Sequence, residues 1–123
     1  MNSSAEILRG YTEAIILNIL NKNDSYGYVI SKNIIDKVNN KIDIKNATIY
    51  LAFKRMEKEN LITSYWVDSE VGARRKQYSI TENGKEYLKN KKKEWKNNKA
   101  ILDKLLGGRW YERTIWKIYW KEI

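Results

Sequence analysis

The hydrophobic period changes abruptly in the middle of the chain, and this most constrains its fold. Ile49, Ala52, Phe53, Met56 and Leu61 recur at i, i+3/i+4 and i+7, the spacing of one inward helix face. Immediately afterwards residues 62–67 and 75–80 read as strands rich in aromatic and β-branched residues, with Gly72 marking the turn region between them. Thr48, Tyr50, Leu51, Lys54 and Lys58 fall elsewhere on the helix, and Arg74, Arg75 and Lys76 sit on the loop and second strand. An ordinary amphipathic core helix would carry the same period. Its place as the third helix, directly before a basic hairpin, points instead to a helix that enters a DNA groove beside a hairpin that grips phosphates.

The rest of the chain arranges itself around that unit. Ile7, Leu8, Tyr11, Ala14, Ile15, Leu17, Ile19 and Leu20 predict a broadly apolar helix over 5–22, and residues 21–25 read as a turn. A second helix is predicted over 26–38, with Val29, Ile30, Ile34 and Val38 inward. Residues 42–44 alternate as a minor strand would, and Asn46 stands where an N-cap belongs. Residues 81–84 can cap a fourth helix running to about residue 106, which Gly107 and Gly108 stop. That helix is highly charged at 89–94 and apolar late, at Ile101, Leu102, Leu105 and Leu106, as expected of a helix that packs on a partner subunit. The expected fold class is mainly α with a small β-hairpin: a winged helix-turn-helix over 1–80, a long C-terminal dimerisation helix over 81–108, and an aromatic, basic tail over 109–123.

Composition narrows the chemistry. A chain of 123 residues, 42% of them apolar, holds one domain with a modest core and an appended dimerisation element. Its net charge of +9 favours a polyanionic partner through counterion release. With no Cys and no His, disulfides, thiolate or imidazole metal ligands and the commonest general base are all missing; with no Gly-rich phosphate loop or carboxylate cluster at useful spacing either, no catalytic set can be assembled, and no metal or cofactor is expected. The first residues lack a basic region leading into an apolar run, and no apolar run approaches a membrane span, so a cytoplasmic protein is expected.

The candidate DNA contacts are therefore Asn46, Thr48, Tyr50 and Lys54 on the third helix and Arg74, Arg75 and Lys76 on the hairpin. Strand alternation places Arg74 and Lys76 on one side and Arg75 on the other. Leu8-Arg9-Gly10, Tyr26-Gly27-Tyr28, Ala47-Thr48-Ile49-Tyr50, Arg55-Met56-Glu57 before Asn60-Leu61-Ile62, and the run from Gly72 to Tyr78 with Thr81, Glu82 and Gly84 after it resemble the PadR family of bacterial regulators. The resemblance covers roughly residues 5–106. It implies a homodimer built by the first and last helices, a near-palindromic double-stranded operator, and a repressor activity. The single C-terminal helix is similar to the short subfamily that includes multidrug-binding repressors.

In those drug-sensing members a Trp at the position of Trp95 faces its twin, and flat aromatic ligands stack between the two. The resemblance thus implies relief by a planar aromatic molecule at Trp95, with Glu13 as a polar contact. Physics alone favours core or dimer packing for a helical Trp, and both readings stand at this point. Lys92, Lys93, Lys96 and Lys99 around Trp95 count against cationic ligands. In the tail, Arg109, Arg113, Lys117 and Lys121 form a basic stripe at i, i+4 spacing, while Trp116, Ile118 and Trp120 also permit a strand. Packing on the dimer, a pocket lid and an interfacial membrane helix all fit that pattern. The alternative to the regulator is a winged-helix protein-interaction module without a small-molecule inducer.

Overall fold

The computed structural model describes residues 8–42 and 44–107. Its elements are α1 (Thr12–Leu20), α2 (Gly27–Lys37), α3 (Asn46–Lys58), β1 (Ile62–Asp68), β2 (Arg74–Ile80) and α4 (Glu82–Leu105). This is a mainly helical fold with one antiparallel hairpin, the architecture expected from the sequence. The 109–123 tail lies outside the described residues, as do Gly108, Asp43 and the first seven positions.

The chain forms two units, Met1–Lys89 and Asn90–Ile123. In the first, α1, α2 and α3 enclose a core in which Ile16, Leu17, Ile30, Ile49, Phe53 and Met56 are at most 1% exposed. Leu88, from the early part of α4, is also buried, and Tyr87 packs against the same cluster. In the second, α4 continues through residues 90–105. The 24 residues of α4 give it a length of about 36 Å.

Local chemistry explains most boundaries. Asn39, Asn40 and Asn60 take positive φ after α2 and α3, the left-handed conformation that asparagine tolerates at helix ends. Past α3, the Leu61 amide donates back to the Met56 carbonyl at 2.9 Å. Thr81 ends the hairpin and starts α4 at once: its hydroxyl donates to the Asn60 carbonyl at 2.6 Å and accepts from the Gly84 amide at 3.0 Å. Gly84 is required by close approach, because a Cβ there would lie 2.1 Å from the Leu61 carbonyl oxygen.

Three expectations are corrected. The first helix does not run unbroken over 5–22, because Gly10 at φ +82° turns the backbone and α1 starts at Thr12. Residues 42 and 44 form no strand; Ile44 is buried as a core plug. The hairpin's extra partner is instead Ser25, whose amide and carbonyl pair with Tyr78 at 3.2 and 2.7 Å. Val29 does not face inward, being 37% exposed near the start of α2.

Candidate nucleic-acid interface

Helix α3 buries Ile49, Ala52, Phe53 and Met56. At 3.6 residues per turn the opposite side carries Ala47, Leu51, Lys54 and Lys58, all exposed, with Thr48 and Tyr50 on its flanks, also exposed. Thr48, Tyr50 and Lys54 therefore stand where the sequence places them. Asn46 is exposed too but is not the N-cap. That position belongs to Lys45, in extended backbone at φ −74° and ψ 141° with no side-chain cap bond, and Asn46 is the first helical residue. Its amide oxygen accepts a hydrogen bond from the buried Ser31 hydroxyl at 3.3 Å, so it ties α3 to α2. A tertiary partner has displaced the local capping rule.

The wing is the hairpin Ile62–Asp68 and Arg74–Ile80, with Asp68 opposite Arg74 and Trp66 opposite Lys76. Its turn closes through Gly72, at φ +85°, whose amide donates to the Ser69 carbonyl at 3.0 Å. Each basic residue has a distinct neighbour. Arg74 lies over the Trp66 ring at 5.2 Å and pairs with exposed Asp68 at 3.6 Å. Arg75 lies over the Tyr26 ring at 4.7 Å. Lys76 pairs with Glu57 of α3 at 3.5 Å. Glu57 also accepts a hydrogen bond from the Ser64 hydroxyl at 3.1 Å, so one carboxylate joins α3 to both strands.

Alternation along β2 would separate Arg75 from its neighbours, yet all three cations line one cleft of 460 Å³. Its walls also include Tyr26, Gly27, Tyr50, Trp66 and Tyr78. The twist of a two-stranded ribbon and the length of the arginine side chain reconcile the two facts. Two of the aromatic walls rest on the buried Phe53: it lies on Tyr78 with ring centroids 4.1 Å apart, and Tyr50 meets it edge-on at 5.7 Å. Burial, then the nearby Glu57 carboxylate, raises the pKa of the Tyr78 phenol above its ordinary value. Gly27 admits Tyr50, since a Cβ on it would stand 2.7 Å from the phenolic oxygen. Sequence periodicity alone does not identify Tyr26, Gly27 or Trp66 as part of this face. The Tyr26-Gly27-Tyr28 motif is the one signal that points there.

The residues expected at a ligand site fall in different units. Glu13, on α1, forms an ion pair with Arg55 of α3, and its side chain is only 14% exposed. Trp95, in the second unit, is 50% exposed, with the Lys99 ammonium 5.8 Å from its ring centroid. Among the described residues no helix is long and apolar enough to cross a membrane.

A sequence profile described as the transcriptional regulator PadR-like family matches residues 16–90. An uncharacterized protein of Lysinibacillus sphaericus is 42% identical over 104 residues, covering 85% of this chain and 95% of that protein. A transcriptional regulator from Clostridium thermocellum superposes with a TM-score of 0.75 at 44% identity, over 82% of this chain and 95% of its own. A PadR family regulator from Clostridium difficile has a TM-score of 0.69 at 44% identity, over 80% of this chain and 100% of its own. A PadR-like regulator from Bacillus cereus reaches 0.73 at 32% identity, over 85% and 99%.

Proposed function

The chain belongs to the PadR-like family of transcriptional regulators, which bind DNA and are not enzymes, and from that premise we propose that it is a sequence-specific, homodimeric repressor acting in the cytoplasm. The observation that carries this reading is the pairing of an exposed, basic α3 face with a wing that gathers Arg74, Arg75 and Lys76 around one cleft. In this reading α3 enters the major groove and the wing cations hold phosphates, with Thr48, Tyr50 and Lys54 setting orientation and part of the specificity. Selection from random duplexes tests it. A near-palindromic site should emerge, with half-sites about one helical turn apart, and affinity should fall steeply between low and moderate salt. Equal, weak binding to every sequence would favour the protein-interaction module instead.

Dimerisation and induction rest on the second half of α4. Trp95 and Leu102 share one side of that helix, Leu106 follows just past its end with its amide bonded to the Leu102 carbonyl, and Leu102 and Leu106 are 53% and 80% exposed. Such a stripe is suited to packing against a second copy. In that dimer Trp95 is both packing residue and stacking platform for a planar aromatic molecule. The nearby ammonium of Lys99 favours neutral or anionic ligands over cationic ones. The ligand induces only if it prefers a dimer whose α3 helices are wrongly spaced for the operator. Tryptophan quenching by a panel of planar dyes, measured on the parent, on Trp95→Ala and on a variant lacking residues 109–123, checks this. The Trp95→Ala variant should lose dye affinity while the truncated one keeps it. Undiminished affinity in Trp95→Ala, or sedimentation as monomer alone at micromolar concentration, would end the inducer reading.

A further inference from the structure

Leu51 is 63% exposed at the middle of the α3 face turned away from the core. Ala47 lies one turn before it and Lys54 about one turn after, with Lys58 beyond; all are exposed. A solitary surface leucine needs no explanation in general. This one is followed by Lys54 and Lys58 on the helix face that the proposed function sends into DNA, in a chain of net charge +9. Charge complementarity selects the occupant, because a face that carries Lys54 and Lys58 and no carboxylate favours a polyanion over an apolar protein surface. In the major groove the apolar group that a base edge presents is the 5-methyl of thymine; the other edge groups are donors and acceptors.

We propose that Leu51, supported by Ala47, contacts a thymine methyl group in each operator half-site and so determines the base at that position. This inference rests on the reading that α3 enters the major groove. Lys54 and Thr48, with hydrogen-bonding groups to either side, complement the apolar contact by engaging neighbouring base edges or phosphates.

The test uses the full chain and the duplex recovered by selection. Each thymine is replaced in turn by uracil, which keeps every hydrogen bond and removes only the methyl. The parent should bind about fourfold more weakly at one thymine of each half-site, the effect of leaving one methyl-sized surface unburied. Leu51→Ala should bind the thymine and uracil duplexes equally, and selection with it should no longer recover the thymine at that position. Alanine favours the helix, so the variant should melt with the parent. The proposal is overturned if no uracil substitution weakens the parent, or if the penalty persists undiminished in Leu51→Ala. It is also overturned if Leu51→Ala changes binding of a protein partner and leaves DNA preference intact. Thr48→Ala and Lys54→Ala separate the two levels. If they shift sequence preference while uracil has no effect, α3 stays in the groove and only the role of Leu51 falls. If no α3 variant shifts preference, the groove reading falls with it.

Discussion

Replacing Arg74, Arg75 and Lys76 together with alanine should weaken binding to the operator and to random duplex DNA alike, by roughly two orders of magnitude at moderate salt. Each neutralised phosphate adds about −0.9 to the slope of log affinity against log salt, so removing three phosphate-binding cations from a wing should flatten that slope by at most about 2.7. The realised change is smaller than full neutralisation would give, because two of the cations already have carboxylate neighbours. Lys76 must leave Glu57 at 3.5 Å, and Arg74 must leave Asp68 at 3.6 Å. Both pairs are solvent-accessible and contribute about 0–1 kcal/mol each, so phosphates compete well against them. Arg75 rests on an aromatic ring rather than a carboxylate, and Arg75→Ala should therefore be the most damaging of the single changes. Salt titrations of both duplex types, alongside thermal melts, provide the check. Unchanged affinity for both DNAs in a folded triple variant would remove the wing from the interface.

The features visible in the sequence share a physical character: they are periodic or local. Ile49, Ala52, Phe53 and Met56 mark the inner face of α3 because burial imposes a 3.6-residue repeat on them. The strands come out within a residue or so of their predicted ends, Gly72 takes the left-handed turn conformation, and the Thr81 hydroxyl caps the last helix through the Gly84 amide. What stays hidden depends on residues distant in sequence. Ser25, the last residue of a polar turn, has no pattern announcing that Tyr78 will pair with it. Asn46 fits the local capping preference by residue type, yet it is the first helical residue and its side chain accepts from Ser31. The same limit holds at the site. The wing cations are legible as charges, but not that Arg75 would cross to Tyr26 or that Glu57 would reach Lys76. The period also marks Leu51 as outward-facing, and only the structure shows how completely its neighbours leave it uncovered.

Phe53→Ala should cost roughly 3–5 kcal/mol of stability, the usual penalty for emptying a buried aromatic site. Phe53 is 1% exposed, stacks on Tyr78 with planes 20° apart, and meets Tyr50 edge-on at 78°. A small domain has only about 5–15 kcal/mol in total, so this single change removes a large share of it. For a unit of this size the melting temperature should fall by roughly 12–40 °C. The consequences for DNA binding follow from what the ring connects. Tyr50 belongs to the helix flank and Tyr78 to the wing strand, and Phe53 is the surface on which both are seated. Well below its melting temperature the variant keeps every wing cation, so its salt slope and its affinity for random DNA should stay close to the parent's. Its operator affinity should fall further, because helix face and wing no longer share a fixed spacing. Phe53→Leu refills much of the apolar volume without a ring plane, and should recover stability more fully than operator preference. Equal recovery of both would mean that Phe53 acts through stability alone. A Phe53→Ala protein melting within a few degrees of the parent would show that the aromatic stack does not hold the helix and wing together.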